Sequence, residues 1–151
     1  MKMIIEKMPK MNIAFYRNVG PYGNSNYTTM EKIKKFAQVN NLFNEDTVIL
    51  GISRDNPETT EPEKCRYDAG IVVSEDFNIE KEDLQKGTVD GGKYVVFIIE
   101  HTAEAVQKAW NELFQEILKK GYKMDLSRYI IERYTVKMIK DCKCEICVPI
   151  L

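Results

Sequence analysis

Two short segments near the end of the chain decide the fold: YIIERYTV at 129–136 and KCEICVPI at 143–150. Both are rich in aromatic and β-branched residues, which favour β-strands. Since a strand directs alternate side chains to opposite faces, Glu132 and Tyr134 share one face, and Glu145 points away from Ile146 and Val148. A carboxylate and a phenol among apolar neighbours are typical of a pocket wall. A solvated strand face is the plain alternative.

The bulk composition predicts one compact domain over residues 1–151. Apolar residues make up 44% of the chain and charged residues 30%, as in ordinary globular proteins. The net charge of −1 argues against electrostatic binding of nucleic acid. We find no DNA-reading module, no signal peptide and no apolar run of the roughly 18 to 20 residues that span a bilayer. The sequence therefore predicts a stand-alone cytoplasmic protein.

The cysteines do not form a metal-binding pattern. Cys142, Cys144 and Cys147 cluster on one predicted strand, Cys65 stands alone, and the chain has a single histidine. A structural zinc site needs four convergent thiolates or imidazoles. We therefore expect reduced thiols, no metal and no cofactor.

The rest of the chain alternates strand and helix patterns. Residues 93–100 are almost continuously apolar, as in a central strand. A helical period runs from Val106 to Leu118, with Thr102 as the expected N-cap. The polar segment 74–92 connects two halves, roughly 1–75 and 88–151. The predicted elements are strands at 3–6, 11–17, 47–53 and 66–74, a helix at 25–40, a strand at 93–100, a helix at about 102–118 and the two terminal strands.

The order strand–helix–strand–strand occurs once in each half. It predicts a pseudo-twofold α+β domain with an antiparallel sheet and two helices on one face. The opposite face then stays open, and we expect a ligand groove there at the junction of the halves. The second helix should pack against the sheet face of Ile146 and Val148 through four residues: Trp110, Leu113, Phe114 and Ile117.

A series of short motifs resembles the GyrI-like family. They follow one another in the family's order and cover essentially the whole chain. The motifs are Gly20-Pro21-Tyr22-Gly23, Asp55-Asn56-Pro57, Cys65-Arg66-Tyr67-Asp68-Ala69, Gly91-Gly92-Lys93-Tyr94, Gly121-Tyr122, Glu132-x-Tyr134 and Glu145-Ile146-Cys147-Val148-Pro149-Ile150.

This resemblance implies a tandem, SHS2-like β-α-β-β repeat around a central groove. The family includes the effector-binding domains of AraC- and MerR-type transcription regulators. Its grooves take small organic molecules, often cationic or amphipathic, including drugs in multidrug-binding members. An acidic groove residue is typically the key polar contact. Stand-alone members have been assigned toxin sequestration, modulation of DNA gyrase or hydrolysis of reactive small molecules.

The candidate ligand-binding residues are two acids and five tyrosines. A carboxylate in an apolar cleft is costly without a partner, and a bound cation can be that partner. Nearby aromatic faces would add cation–π attraction of about 0.5 to 2 kcal/mol. The sequence leaves open whether Glu132 or Glu145 is the main contact. The candidates are Glu132 with Tyr134, Glu145, the walls Tyr16, Tyr67 and Tyr94, and Tyr22 at the rim.

Three functions remain at this point. The preferred one is a protein that binds or sequesters lipophilic cations, with a small organic ligand as its partner. The second is a small-molecule hydrolase in which Glu132 activates water and Tyr134 orients or protonates the substrate. The third is a protein–protein modulator of the DNA gyrase-inhibitor type. A regulator or gyrase is a possible protein partner. Because no nucleophile, metal set or phosphate loop is evident, we rank enzymatic activity below binding.

Overall fold

The computed structural model describes residues 1–151 and contains eight strands, three α-helices and one 3-10 turn. Strands and helices alternate largely as the apolar patterns predict. The elements are β1 Lys2–Met8, β2 Met11–Val19, α1 Asn24–Val39, β3 Val48–Ser53, a 3-10 turn Pro62–Lys64, β4 Arg66–Val73, β5 Gln85–Val89, β6 Gly92–Glu100, α2 Ala103–Lys119, β7 Ile131–Thr135, α3 Val136–Lys140 and β8 Lys143–Pro149.

All eight strands form one antiparallel sheet in the order β1-β6-β8-β7-β3-β4-β2-β5. From each edge inward, the sheet shows the same order: an edge strand, then the first, third and second strands of a β-α-β-β unit. This order is β1-β6-β8-β7 from one edge and β5-β2-β4-β3 from the other. The units β2-α1-β3-β4 and β6-α2-β7-β8 meet where β3 pairs with β7. The predicted α+β class with a tandem repeat is thus confirmed.

Both long helices pack on the same face of this sheet. Ile33 of α1 lies in a cluster with Ile49, and Leu113 of α2 lies in a cluster with Ile146. The pairings Ile49–Tyr134 and Glu132–Ile146 place these strand residues on one face. The prediction of two helices on one face is therefore confirmed.

The expected burial of α2 needs one correction. Leu113 and Ile117 are fully buried, Trp110 is half-buried, and Phe114 is 41% exposed. The side that meets the sheet is formed by Ala109, Leu113 and Ile117, and Phe114 lies further round the helix because successive residues are offset by about 100°. Phe114 was wrongly assigned to the core.

The opposite sheet face is not an open groove, contrary to expectation. It carries a third buried cluster that includes Phe15, Leu50 and Val96, although no helix covers it. Only residues 9–10 separate β1 from β2, and only residues 90–91 separate β5 from β6. Because each connection joins one edge region of the sheet to the other, the sheet must curl, and its concave face becomes core.

Two elements were not predicted. β5 has the polar sequence QKGTV, and α3 has only five residues, so neither shows a usable period. The third helix nevertheless matters for the site, since it follows β7 directly. None of the helices combines the length and the apolar character that crossing a bilayer requires.

Candidate ligand-binding pocket

A cavity of about 580 Å³ lies on the helix-bearing face of the sheet where the two repeats meet. Its floor comes from β3, β4 and β7, one wall from α1 and the other from α3. The predicted groove at the junction of the repeats therefore lies on the opposite face of the sheet from the one expected. Its lining is Gly23, Asn26, Tyr27, Met30, Lys34, Phe43, Ile49, Tyr67, His101, Glu132, Tyr134, Val136, Ile139 and Lys140.

Glu132 and Tyr134 lie side by side on β7 and face the cavity. The Tyr134 hydroxyl donates a hydrogen bond to Glu132 Oε2. Burial raises the pKa of Glu132, and this hydrogen bond lowers it in part. Burial and the neighbouring Glu132 charge also raise the pKa of Tyr134, so Tyr134 remains a neutral phenol. The site thus holds one carboxyl group with a neutral hydrogen-bond donor.

Gly51 creates room for a second phenol beside this pair. Gly51 on β3 pairs with Glu132 on β7. A Cβ at position 51 would lie 2.6 Å from the Tyr67 hydroxyl oxygen and 3.4 Å from Met30 Cε. The missing side chain lets Tyr67 lie across β3 toward the cavity. Burial, followed by the Glu132 charge, raises the pKa of Tyr67, which also stays neutral.

Helix α1 supplies a wall through residues one turn apart. Asn26, Met30 and Lys34 follow the spacing i, i+4, i+8 and share one side of the helix. Tyr27 is 74% exposed at the mouth of the cavity, where Phe43 is also partly exposed. The mouth is therefore aromatic.

His101 and Lys140 complete the opposite side. The His101 ring meets Tyr134 edge-on, with 5.6 Å between ring centroids. Burial and the nearby Lys34 lower the pKa of His101, which favours the neutral imidazole. Lys140 on α3 forms an ion pair of 2.8 Å with Glu45. The charges at the rim are thus partly compensated within the chain.

Of the seven residues predicted from the sequence, Glu132, Tyr134 and Tyr67 line the cavity, and four do not. Glu145 lies on the other sheet face, 2.8 Å from Arg133. Strand alternation separates Glu145 from Glu132, since Glu132 pairs with Ile146.

The other three tyrosines have structural contacts. The Tyr94 hydroxyl donates to the Asp90 carbonyl at 2.8 Å, on the concave face. Tyr22 donates to the Arg66 carbonyl at 2.7 Å and fastens the loop before α1. Tyr16 is buried beneath α1, with its ring edge-on to Phe36. These contacts place all three outside the cavity.

The sequence interpretation missed the α1 wall, Gly51 and His101. The i, i+4, i+8 spacing of Asn26, Met30 and Lys34 was available as a signal. This spacing does not distinguish a cavity wall from any other side of a helix, because the position of the cavity depends on the tertiary fold. Gly51 had no local signal, since its role depends on the side chain of Tyr67 on the next strand.

The family comparison covers the whole chain. The model of the GyrI-like small molecule binding domain matches residues 1–151. YosT of Bacillus subtilis (strain 168), a SPbeta prophage-derived protein named as a transcriptional regulator, is 48% identical over 99% of this chain and 99% of its own length. A protein of Yersinia enterocolitica named DNA gyrase inhibitor is 31% identical over 80% of this chain and 77% of its own length.

Solved structures share the fold at low sequence identity. The EcmrR C-terminal domain has a TM-score of 0.75 at 14% identity, over 99% of this chain and 97% of that one. SAV2435 bound to tetraphenylphosphonium has a TM-score of 0.62 at 15% identity, over 100% of this chain and 94% of that one. At these identities the likeness establishes the fold alone.

Proposed function

The chain belongs to the GyrI-like small molecule binding domain family, and from this premise we propose that it binds lipophilic organic cations, with Glu132 as their counter-charge. The cavity of about 580 Å³ is large enough for a drug-sized molecule. Binding of this kind would serve sensing or sequestration of the ligand. Neither role requires chemical conversion of the ligand.

The observation that carries this proposal is that Glu132 has no ion pair. The two most deeply buried carboxylates of the protein, Asp68 and Glu145, each contact arginine. Glu132 has only the neutral Tyr134 hydroxyl as a partner. An uncompensated carboxylate among apolar groups is costly, and a bound cation would offset that cost.

The aromatic lining supports the same choice of ligand. Tyr67 and Tyr134 stay neutral and present ring surface beside Glu132, and Tyr27 lies at the mouth. Aromatic rings near a desolvated cation contribute about 0.5 to 2 kcal/mol each. SAV2435, which shares the fold, was solved with tetraphenylphosphonium, a lipophilic cation.

The test compares a cation with a neutral molecule of similar shape. Tetraphenylphosphonium and triphenylphosphine oxide would be titrated calorimetrically into the wild-type protein, Glu132→Gln and Glu58→Gln. Glu58 is an exposed loop residue without an ion pair, which makes it a matched control. We expect Glu132→Gln to weaken cation binding about tenfold or more and to leave the neutral compound nearly unchanged. Equal losses for both compounds would refute the counter-charge.

Hydrolysis is a second candidate, favoured by the Glu132–Tyr134 pair. A carboxyl group with a raised pKa can act as a general base toward water, and the phenol can orient a substrate. Mass spectrometry of strained-ring and ester compounds after long incubation would test this activity. A water-addition product that forms with the wild-type protein and not with Glu132→Gln would establish turnover.

The names of the relatives suggest a protein partner. We propose that ligand binding serves either a separate transcription regulator or DNA gyrase. A supercoiling assay with purified gyrase, with and without tetraphenylphosphonium, tests the gyrase arm. Unchanged supercoiling at excess protein would remove gyrase from consideration.

A further inference from the structure

We infer that the preferred ligand is a cation that carries N–H groups, such as a protonated amine or amidine, and not a quaternary or tetra-aryl cation. This inference rests on the proposed function and narrows it. The cavity contains hydrogen-bonding groups that a ligand with a positive charge but no N–H group would leave unpaired.

The first unused acceptor is on Glu132. Tyr134 donates to Oε2, and no donor in the chain reaches Oε1. An ionised carboxylate accepts up to about four hydrogen bonds, so most of this capacity is free. Glu145 is the contrasting case, because Arg133 donates to both of its oxygens at 2.8 and 2.9 Å.

The second unused group is the Tyr67 hydroxyl. Tyr67 is 5% exposed and its hydroxyl has no hydrogen-bond partner in the chain. Tyr94, which is similarly buried, donates to a backbone carbonyl at 2.8 Å. The Tyr67 oxygen extends over Gly51, and Gly51 pairs with Glu132, so the phenol and the carboxylate face the same part of the cavity. A ligand N–H can donate to the phenol oxygen and to the free carboxylate oxygen together.

The third group is Asn26 on the α1 wall. Its Oδ1 is the one buried side-chain oxygen or nitrogen in the protein that lacks a hydrogen-bond partner. Leaving a buried acceptor unpaired is unfavourable. Asn26 lines the cavity, so a second N–H of the ligand that reaches this oxygen would supply the missing donor.

A quaternary cation cannot satisfy these groups. Its charge attracts Glu132, but its alkyl or aryl surface would cover the free carboxylate oxygen and the Tyr67 hydroxyl without donating to them. Sites that contain buried hydrogen-bonding groups discriminate strongly against analogues that leave those groups unpaired. The cavity should therefore prefer an N–H cation over a quaternary cation of the same shape.

The experiment uses two probes that differ by one N-methyl group. Dimethyl(naphthylmethyl)amine, which is protonated at neutral pH, and trimethyl(naphthylmethyl)ammonium would be titrated calorimetrically into the full chain. We expect the protonated amine to bind about tenfold more tightly. Tyr67→Phe should reduce that ratio several-fold, because it removes an acceptor for the amine N–H and also removes the unpaired hydroxyl that the quaternary probe covers. Tyr129→Phe, an exposed tyrosine outside the cavity, should preserve the ratio.

The outcomes separate this inference from the proposed function. If both probes bind with equal affinity to the wild-type protein, the N–H preference is refuted and cation binding stands. If neither probe binds, cation binding is refuted and the inference falls with it. A tenfold ratio that survives in Tyr67→Phe would refute the assignment of Tyr67 as an acceptor, and with it the arrangement proposed here.

Discussion

The two faces of strand β7 differ in whether their charged side chains are paired within the chain. On the cavity face Glu132 has only a neutral phenol as a partner. On the concave face the next residue, Arg133, lies between Glu145 and Glu6 and donates two hydrogen bonds to each, at 2.8 to 3.0 Å. Strand alternation keeps this arginine away from the carboxylate beside it. One face therefore completes its charge pairing within the chain, and the other leaves a carboxylate for a ligand.

The strongest test of this contrast removes the paired cation. Arg133→Met would leave the Glu145 carboxylate buried without a partner. Breaking a buried pair from one side typically costs about 3–5 kcal/mol, and we expect a loss of that size in the free energy of unfolding by urea denaturation. Glu132→Gln, which removes a carboxylate with no ion pair, should leave stability unchanged or slightly higher.

A double substitution shows whether the loss comes from the unpaired charge. Arg133→Met combined with Glu145→Met replaces the pair with apolar side chains and should recover much of the stability. Glu6 tolerates the change, since its side chain is 35% exposed. A double variant as unstable as Arg133→Met alone would contradict this account, as would a comparable loss in Glu132→Gln.

Local sequence patterns predicted much of this arrangement. Alternation along residues 129–136 placed Glu132 with Tyr134, and alternation along 143–150 turned Glu145 away from Ile146. Both relations hold in the structure, as does the repeat of two β-α-β-β units. These features depend on neighbours within one element or on the order of elements, which the sequence displays directly.

The location of the cavity could not be predicted in the same way. It depends on the curl of the sheet, which the short connections at residues 9–10 and 90–91 impose between distant strands. Once the concave face becomes core, Tyr94 and Glu145 on that face lie outside the cavity between the repeats. Likewise, Gly51 becomes significant only when Tyr67 lies across it. Such contacts form between residues that are far apart in the sequence, and no local sequence pattern reveals them.

The second prediction uses pH to distinguish the two faces. The pKa of Glu132 is raised by burial, so its carboxylate takes up a proton at a pH above the ordinary value of 4.5. Affinity for tetraphenylphosphonium should therefore fall as pH is lowered through this raised pKa, by up to about tenfold per pH unit. Calorimetry across the pH range measures the profile, and Glu132→Gln should make it markedly flatter.

The pKa of Glu6 on the concave face is shifted in the opposite direction. Its hydrogen bonds with Arg133 lower its pKa, so its contribution to stability is present above the ordinary value and is lost as pH falls through the lowered pKa. Unfolding experiments at decreasing pH should show this loss below the range in which cation affinity declines. If both effects occurred over the same pH range, the two faces would not be electrostatically distinct.

The smallest expected effect comes from Tyr134→Phe. The Tyr134 hydroxyl lowers the pKa of Glu132 against the effect of burial, so its removal should raise that pKa further. At a pH within the titration range of Glu132, less of this residue would be ionised, and cation affinity should fall about two- to fivefold. The midpoint of the affinity–pH profile should move upward, and affinity should recover at alkaline pH because Glu132 is then ionised in both proteins. In a Glu132→Gln background the same substitution should have no pH-dependent effect. A loss of affinity that is equal at every pH would instead indicate that Tyr134 contacts the ligand directly and does not act through Glu132.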